Sequence, residues 1–130
     1  TQNLPGIAGL LEGLRYVAKR RHTILEHEKK LTARLAEHLS EIPHVEVFAP
    51  ETGPETGVLS FRSPHMDCEL WNERLAARGF ALRAGLHCAP LAHESAGTLE
   101  TGTLRASPGI FNTEKHIDQL ARALNQTLFA

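Results

Sequence analysis

Phe80-Ala81-Leu82-Arg83-Ala84-Gly85-Leu86-His87-Cys88-Ala89-Pro90-Leu91-Ala92 is the stretch around which the chain is organised. Its apolar opening predicts a strand over residues 80–83. Gly85 frees the backbone to turn, which puts His87 and Cys88 on the loop that follows. Pro90 stiffens the exit of that loop, because its ring fixes φ. A thiol is a nucleophile only as thiolate, and neighbouring cations favour that form. Arg83 and His87 are the candidates for this task. From these residues alone a structural role is equally open, since free cysteine is commonly a small buried hydrophobe.

Downstream, residues 91–101 read as one helical turn followed by loop. Residues 102–107 predict a strand that carries Arg105 in an apolar setting, and Pro108-Gly109 ends it. An arginine there needs a partner, because an unpaired buried charge is costly. Its planar fork suits a carboxylate held by two hydrogen bonds; an ion pair with one of the chain's own acids would satisfy it as well. Asn112 or Thr113 caps a last helix, with Ile117, Leu120, Leu124 and Leu128 as its buried stripe.

Upstream, Asp67 caps a helix running to about Ala77, with Leu70, Trp71 and Leu75 inward and Gly79 as the stop. Cys68 lies in its first turn and is a rival nucleophile, since a helix N-terminus can depress a thiol pKa. No turn or convergent polar set surrounds it, which favours a structural Cys68. Two strands are predicted over 44–49 and 58–62, separated by a loop with Pro50, Gly53, Pro54 and Gly57. Asn3 and Pro5 open a helical region over residues 4–41. Thr23 is a second cap candidate, so this region is one bent helix or two, and Pro43 ends it. Ile24, Leu31, Leu35, Leu39 and Ile42 mark its apolar stripe, and its charges form a solvated face. Gly6, Gly9 and Gly13 suggest close approach of another backbone.

This order of elements predicts an α+β two-layer sandwich, with helices on one face of a small, mainly antiparallel sheet. The 130 residues fit one domain with a real hydrophobic core. A net charge of −1 offers no basic excess for nucleic acid. The apolar runs are too short to span a bilayer. Cys68 and Cys88 do not suggest a secreted disulfide scaffold, so a reducing cytoplasm is expected. The chain opens on Thr1 without an initiator methionine, compatible with a piece of a longer protein.

Arg83-Ala84-Gly85-Leu86-His87-Cys88-Ala89-Pro90 resembles the active-cysteine loop of the group II (Suf-type) cysteine desulfurases and selenocysteine lyases, pyridoxal-phosphate enzymes of the class V aminotransferase superfamily. The usual pattern there is Arg-x-Gly-x-His-Cys-Ala-x-Pro. Leu86 stands where a first histidine is common, and Pro90 arrives one residue early. Gly102-Thr103-Leu104-Arg105-Ala106-Ser107, with Phe111-Asn112-Thr113, is similar to the superfamily's C-terminal signature. Thr1-Gln2-Asn3-Leu4-Pro5-Gly6-Ile7-Ala8 looks like the passage from the large cofactor domain into the small one.

The resemblance implies that residues 1–130 are the C-terminal small domain of a fold-type I pyridoxal-phosphate enzyme whose large domain is absent from this chain. It implies Cys88 as the persulfide-forming nucleophile and Arg105 as the clamp on the substrate α-carboxylate, with Arg83, His87 and Asn112 in support. It further implies L-cysteine as substrate, a role in sulfur mobilisation for iron–sulfur cluster assembly, a homodimer and a sulfur-acceptor protein. The Schiff-base lysine is expected in the absent domain. Lys19, Lys29, Lys30 and Lys115 fall on charged helical faces or a helix start, not in the apolar pocket such a lysine needs. The piece alone is therefore expected to be inactive. Selenocysteine lyase, another class V aminotransferase reaction, and a non-catalytic interaction domain are the alternatives. A metal site on His87, Cys88 and His93, with His65 or Cys68, lacks the paired spacing of structural zinc.

Overall fold

Alternation along short strands decides which residues form the core. The computed structural model describes residues 1–50 and 52–129. Four strands, β1 (Glu46–Phe48), β2 (Leu59–Arg62), β3 (Arg83–Gly85) and β4 (Thr103–Ala106), form one sheet in the order β1-β2-β4-β3. Every neighbouring pair is antiparallel. Leu59, Phe61, Leu104 and Ala106 are buried on one face. Phe48, Ser60, Arg105 and Arg83 follow one another across the other, because side chains alternate along each strand.

The inner face is covered by helices α1 (Leu4–Ser40), α2 (Cys68–Ala76) and α4 (Glu114–Leu128). Leu31, Leu35 and Leu39 of α1 are fully buried, as are Trp71 and Leu75 of α2 and Leu124 of α4. Each such side chain contributes roughly 1.5–3 kcal/mol of transfer free energy. The Trp71 indole Nε1 donates to Thr127 Oγ1 at 2.9 Å, so its one polar group is satisfied inside the core. Outside the core, Arg34 of α1 grips Asp118 of α4 through two hydrogen bonds of 2.7 and 3.0 Å. The expected α+β two-layer arrangement is the one observed. The six-residue helix α3 (Pro90–Ser95) stands apart from the helical layer. Its Ala92 and His93 share a small cavity with Phe48, Ser60 and Thr103, on the outer face.

Several local expectations need correction. The strand expected over 80–83 instead begins at Arg83. Continuing the register would set Phe80 against Pro108, which has no N–H for a ladder. Residues 4–40 form one continuous helix of 37 residues, so Thr23 caps nothing. Leu70 is 43% exposed, because Cys68, Trp71 and Leu75 define the inward stripe of α2. Gly9 and Gly13 face open space, so no described segment makes the expected close approach there. Thr113, not Asn112, caps α4. Among the described residues no helix is long and apolar enough to cross a membrane.

Candidate active site

Cys88 sits at the corner of a tight turn. The Ala89 N–H donates to the Leu86 carbonyl at 2.9 Å, closing a four-residue turn over residues 86–89. Both central residues have positive φ, 51° at His87 and 59° at Cys88. That is the type I′ pattern, which Asn-Gly ordinarily fills. A non-glycine residue in this region costs about 1–2 kcal/mol. The turn therefore persists only because its surroundings hold it. Cys88 itself is exposed and unbridged.

His87 is anchored to the neighbouring strand. Its Nε2 lies 3.2 Å from both the carbonyl oxygen and Oγ1 of Thr103. A carbonyl can only accept, so Nε2 carries the proton and Nδ1 is left as an acceptor. Burial, then the charge of Arg105, holds the imidazole below its usual pKa. The imidazolium form, the one in which His87 could act as a cation toward the thiol, is thereby disfavoured.

Arg105 and Arg83 are direct cross-strand neighbours on the outer face. The Arg105 Nε is buried without a hydrogen-bond partner. Among the described residues, neither arginine has an acidic partner, so the internal ion pair considered for Arg105 is not formed among them. Like charges directly opposite each other in a sheet repel. Two such arginines with an orphaned donor make a seat for an anion, and the fork geometry matches a carboxylate.

Cys68 is buried, and burial pushes its thiol pKa up despite a backbone hydrogen bond from Gly85. The nearby Asp67 and Glu69 charges act in the same direction, so the helix N-terminus does not activate it. Asn112 is not brought to the Cys88 turn. Its Oδ1 accepts from the Gly109 N–H at 2.8 Å, and its carbonyl lies 2.9 Å from His27 Nε2, so it shapes the turn before α4. A cavity of about 510 Å³ opens beside it, between residues 78–82 and α4, at the end of β4 remote from Thr103. No three His, Cys, Asp or Glu side chains among the described residues converge on a metal position.

Sequence reasoning missed Thr103 and Thr98, and considered His93 only as a metal ligand. Position gave the one available signal, because a strand partner of the turn was bound to include residue 103. Of the four lysines considered, Lys30 pairs with Glu114 at 2.7 Å.

The aminotransferase class-V family model matches residues 1–120. The chain belongs to the class V aminotransferase family. Enzymes of this family are generally pyridoxal-phosphate-dependent. A probable cysteine desulfurase of Staphylococcus epidermidis is 32% identical over 120 residues, covering 92% of this chain and 29% of that protein. The cysteine desulfurase CsdA of Escherichia coli superposes with a TM-score of 0.87 at 28% identity, covering 99% of this chain and 31% of that one. A cysteine desulfurase of Thermococcus onnurineus gives the same TM-score at 27% identity, with 99% and 32% covered. The chain thus spans about three tenths of the length of the proteins it matches.

Proposed function

We propose that this chain is the C-terminal small domain of a cysteine desulfurase, and that it carries the nucleophile and the carboxylate clamp but not the cofactor. The observation that carries the reading is Arg105, whose buried Nε lacks a partner while Arg83 opposes it, on the strand that anchors the Cys88 turn. An amino-acid carboxylate supplies the anion this arrangement lacks. The likeness to cysteine desulfurases over nearly the whole chain supports the same reading.

The chain's own share of the chemistry divides in two. Arg105 holds the α-carboxylate of L-cysteine through forked hydrogen bonds. Cys88, as thiolate, attacks the substrate sulfur, and an S–S bond forms as the carbon–sulfur bond breaks. The bonding pair stays with the carbon, which takes a proton and leaves as alanine. A persulfide remains on Cys88 for an acceptor protein. Arg83 is the cation left to favour the thiolate, His87 orients the turn, and Asn112 supports the segment after β4. Pyridoxal phosphate belongs to the remainder of the protein, where it supplies the electron sink.

The first half of α1 supports a partner domain. Leu4, Ile7, Leu10, Leu11, Leu14 and Val17 are each between 46% and 70% exposed. A soluble domain rarely leaves so long an apolar stripe uncovered. We assign this stripe to the large domain, within a cytoplasmic homodimer.

The test is alanine and sulfide production from L-cysteine, with pyridoxal phosphate and a reductant, by the intact gene product, its Cys88→Ala variant and residues 1–130 alone. Turnover by the intact protein only, lost in Cys88→Ala, is the expected result. Turnover retained in Cys88→Ala removes the persulfide role. An inactive intact protein moves the function to another class V reaction.

A further inference from the structure

The segment joining β3 to β4 is closed by a run of contacts that the proposed chemistry does not use. The His93 N–H donates to the Ala89 carbonyl at 3.2 Å, the Thr98 N–H to the His93 carbonyl at 2.8 Å, and the Gly102 N–H to the Thr98 carbonyl at 2.8 Å. The next residue, Thr103, receives His87, which returns the run to the Cys88 turn. Two polar side chains are buried inside this excursion. His93 is 7% exposed and Thr98 is 1% exposed, with His93 Nδ1 only 2.7 Å from Thr98 Oγ1. The His93 ring packs against that of His87, with centroids 5.8 Å apart.

We infer that His93 and Thr98 form a buried clasp that positions Cys88, holding residues 86–89 in a turn that His87 and Cys88 would not adopt unaided. Two consecutive L-residues at positive φ relax unless the surroundings over-determine them. A histidine and a threonine buried together are costly unless each satisfies the other. The clasp meets both conditions. It fixes the ring against which His87 lies, and it fixes the Ala89 carbonyl at the exit of the turn. Neither residue touches substrate, so both are positioning residues. Their effect on turnover rests on the desulfurase reading, whereas their effect on the turn does not.

The test uses the intact protein with Thr98→Val, Thr98→Ser and His93→Phe. Thr98→Val and His93→Phe are expected to lower kcat for alanine release about tenfold or more, as misplacement of a reacting group does. KM for L-cysteine stays unchanged, because Arg105 is untouched. Thr98→Ser restores the hydroxyl and returns kcat to near the parent value. The Ala89 amide, which closes the turn, exchanges about tenfold faster in the Val and Phe variants and at the parent rate in Thr98→Ser. The exchange readout needs no turnover, so it decides the clasp even if the protein is no desulfurase. Should His93→Phe fail to fold, the Thr98 pair decides. Unchanged Ala89 exchange in folded Thr98→Val overturns the inference. So does failure of Thr98→Ser to restore it, or an active enzyme whose kcat does not follow the exchange.

Discussion

Arg83 and Arg105 face each other across the β3–β4 ladder with no acidic partner among the described residues, and the Arg105 Nε is buried and unbonded. Two guanidinium groups kept opposite each other cost stability, and the proposed carboxylate site is what that cost would serve. Removing one should therefore separate the two properties. Arg105→Gln is expected to stabilise residues 1–130 by a few tenths of a kcal/mol, from about 0.2 to 1. In the intact protein it should raise KM for L-cysteine roughly tenfold to a hundredfold, the worth of charged hydrogen bonds. Arg105→Lys recovers little, because lysine lacks the fork. Urea unfolding and steady-state kinetics on the same variants give both values.

Cys88 sits where glycine is at ease. Cys88→Gly removes the proposed nucleophile and the unfavourable φ together. Stability of residues 1–130 is expected to rise by about 1 kcal/mol in Cys88→Gly relative to Cys88→Ala, while both variants of the intact protein lose turnover and keep cofactor colour. Equal stability of the Gly and Ala variants would show that the turn is not strained.

The acid response should come in two stages. In the folded chain His87 titrates below its ordinary 6.5, chiefly through burial. The unfolded chain binds that proton more readily, so stability is lost as pH falls from about 6.5 through the lowered value. Asp118 is held down to about 2 from 3.8, chiefly by its hydrogen bonds from Arg34. Its contribution is present above 3.8 and lost as pH falls toward 2. Urea midpoints measured from pH 8 to pH 2 should show both declines. His87→Gln should reduce the upper decline and Asp118→Asn the lower, to which Glu114, also held low by Lys30, still contributes.

Gly102, just before β4, lies tight against Gly85 of β3. A Cβ there would sit 2.9 Å from the Gly85 Cα and 3.1 Å from Cys68 Sγ, at a φ of 62°. Gly102→Ala is expected to cost about 1–3 kcal/mol, with backbone rather than a flexible side chain in the way. Cys68→Ala should relieve only the contact with sulfur, so the double variant stays destabilised in thermal melts.

The sequence by itself determined the layers and the chemistry on offer. Ile117, Leu120, Leu124 and Leu128 recur at helical spacing and are buried, and Leu59, Phe61, Leu104 and Ala106 alternate into the same core. Local periodicity suffices for this, because each element must bury one face. The stretch over residues 80–92 also named Cys88, and the strand after it named Arg105. Only the tertiary structure decided what surrounds them. Register set Arg83 against Arg105, because a one-residue slip in pairing would move either arginine to the other face. Chain reversal brought Thr103 under His87 and lowered the pKa of that histidine, chiefly through burial and then through the charge of Arg105. The positive φ at His87 and Cys88 likewise has no local signature, for nothing in His-Cys favours that turn without the buried pair His93 and Thr98 beside it.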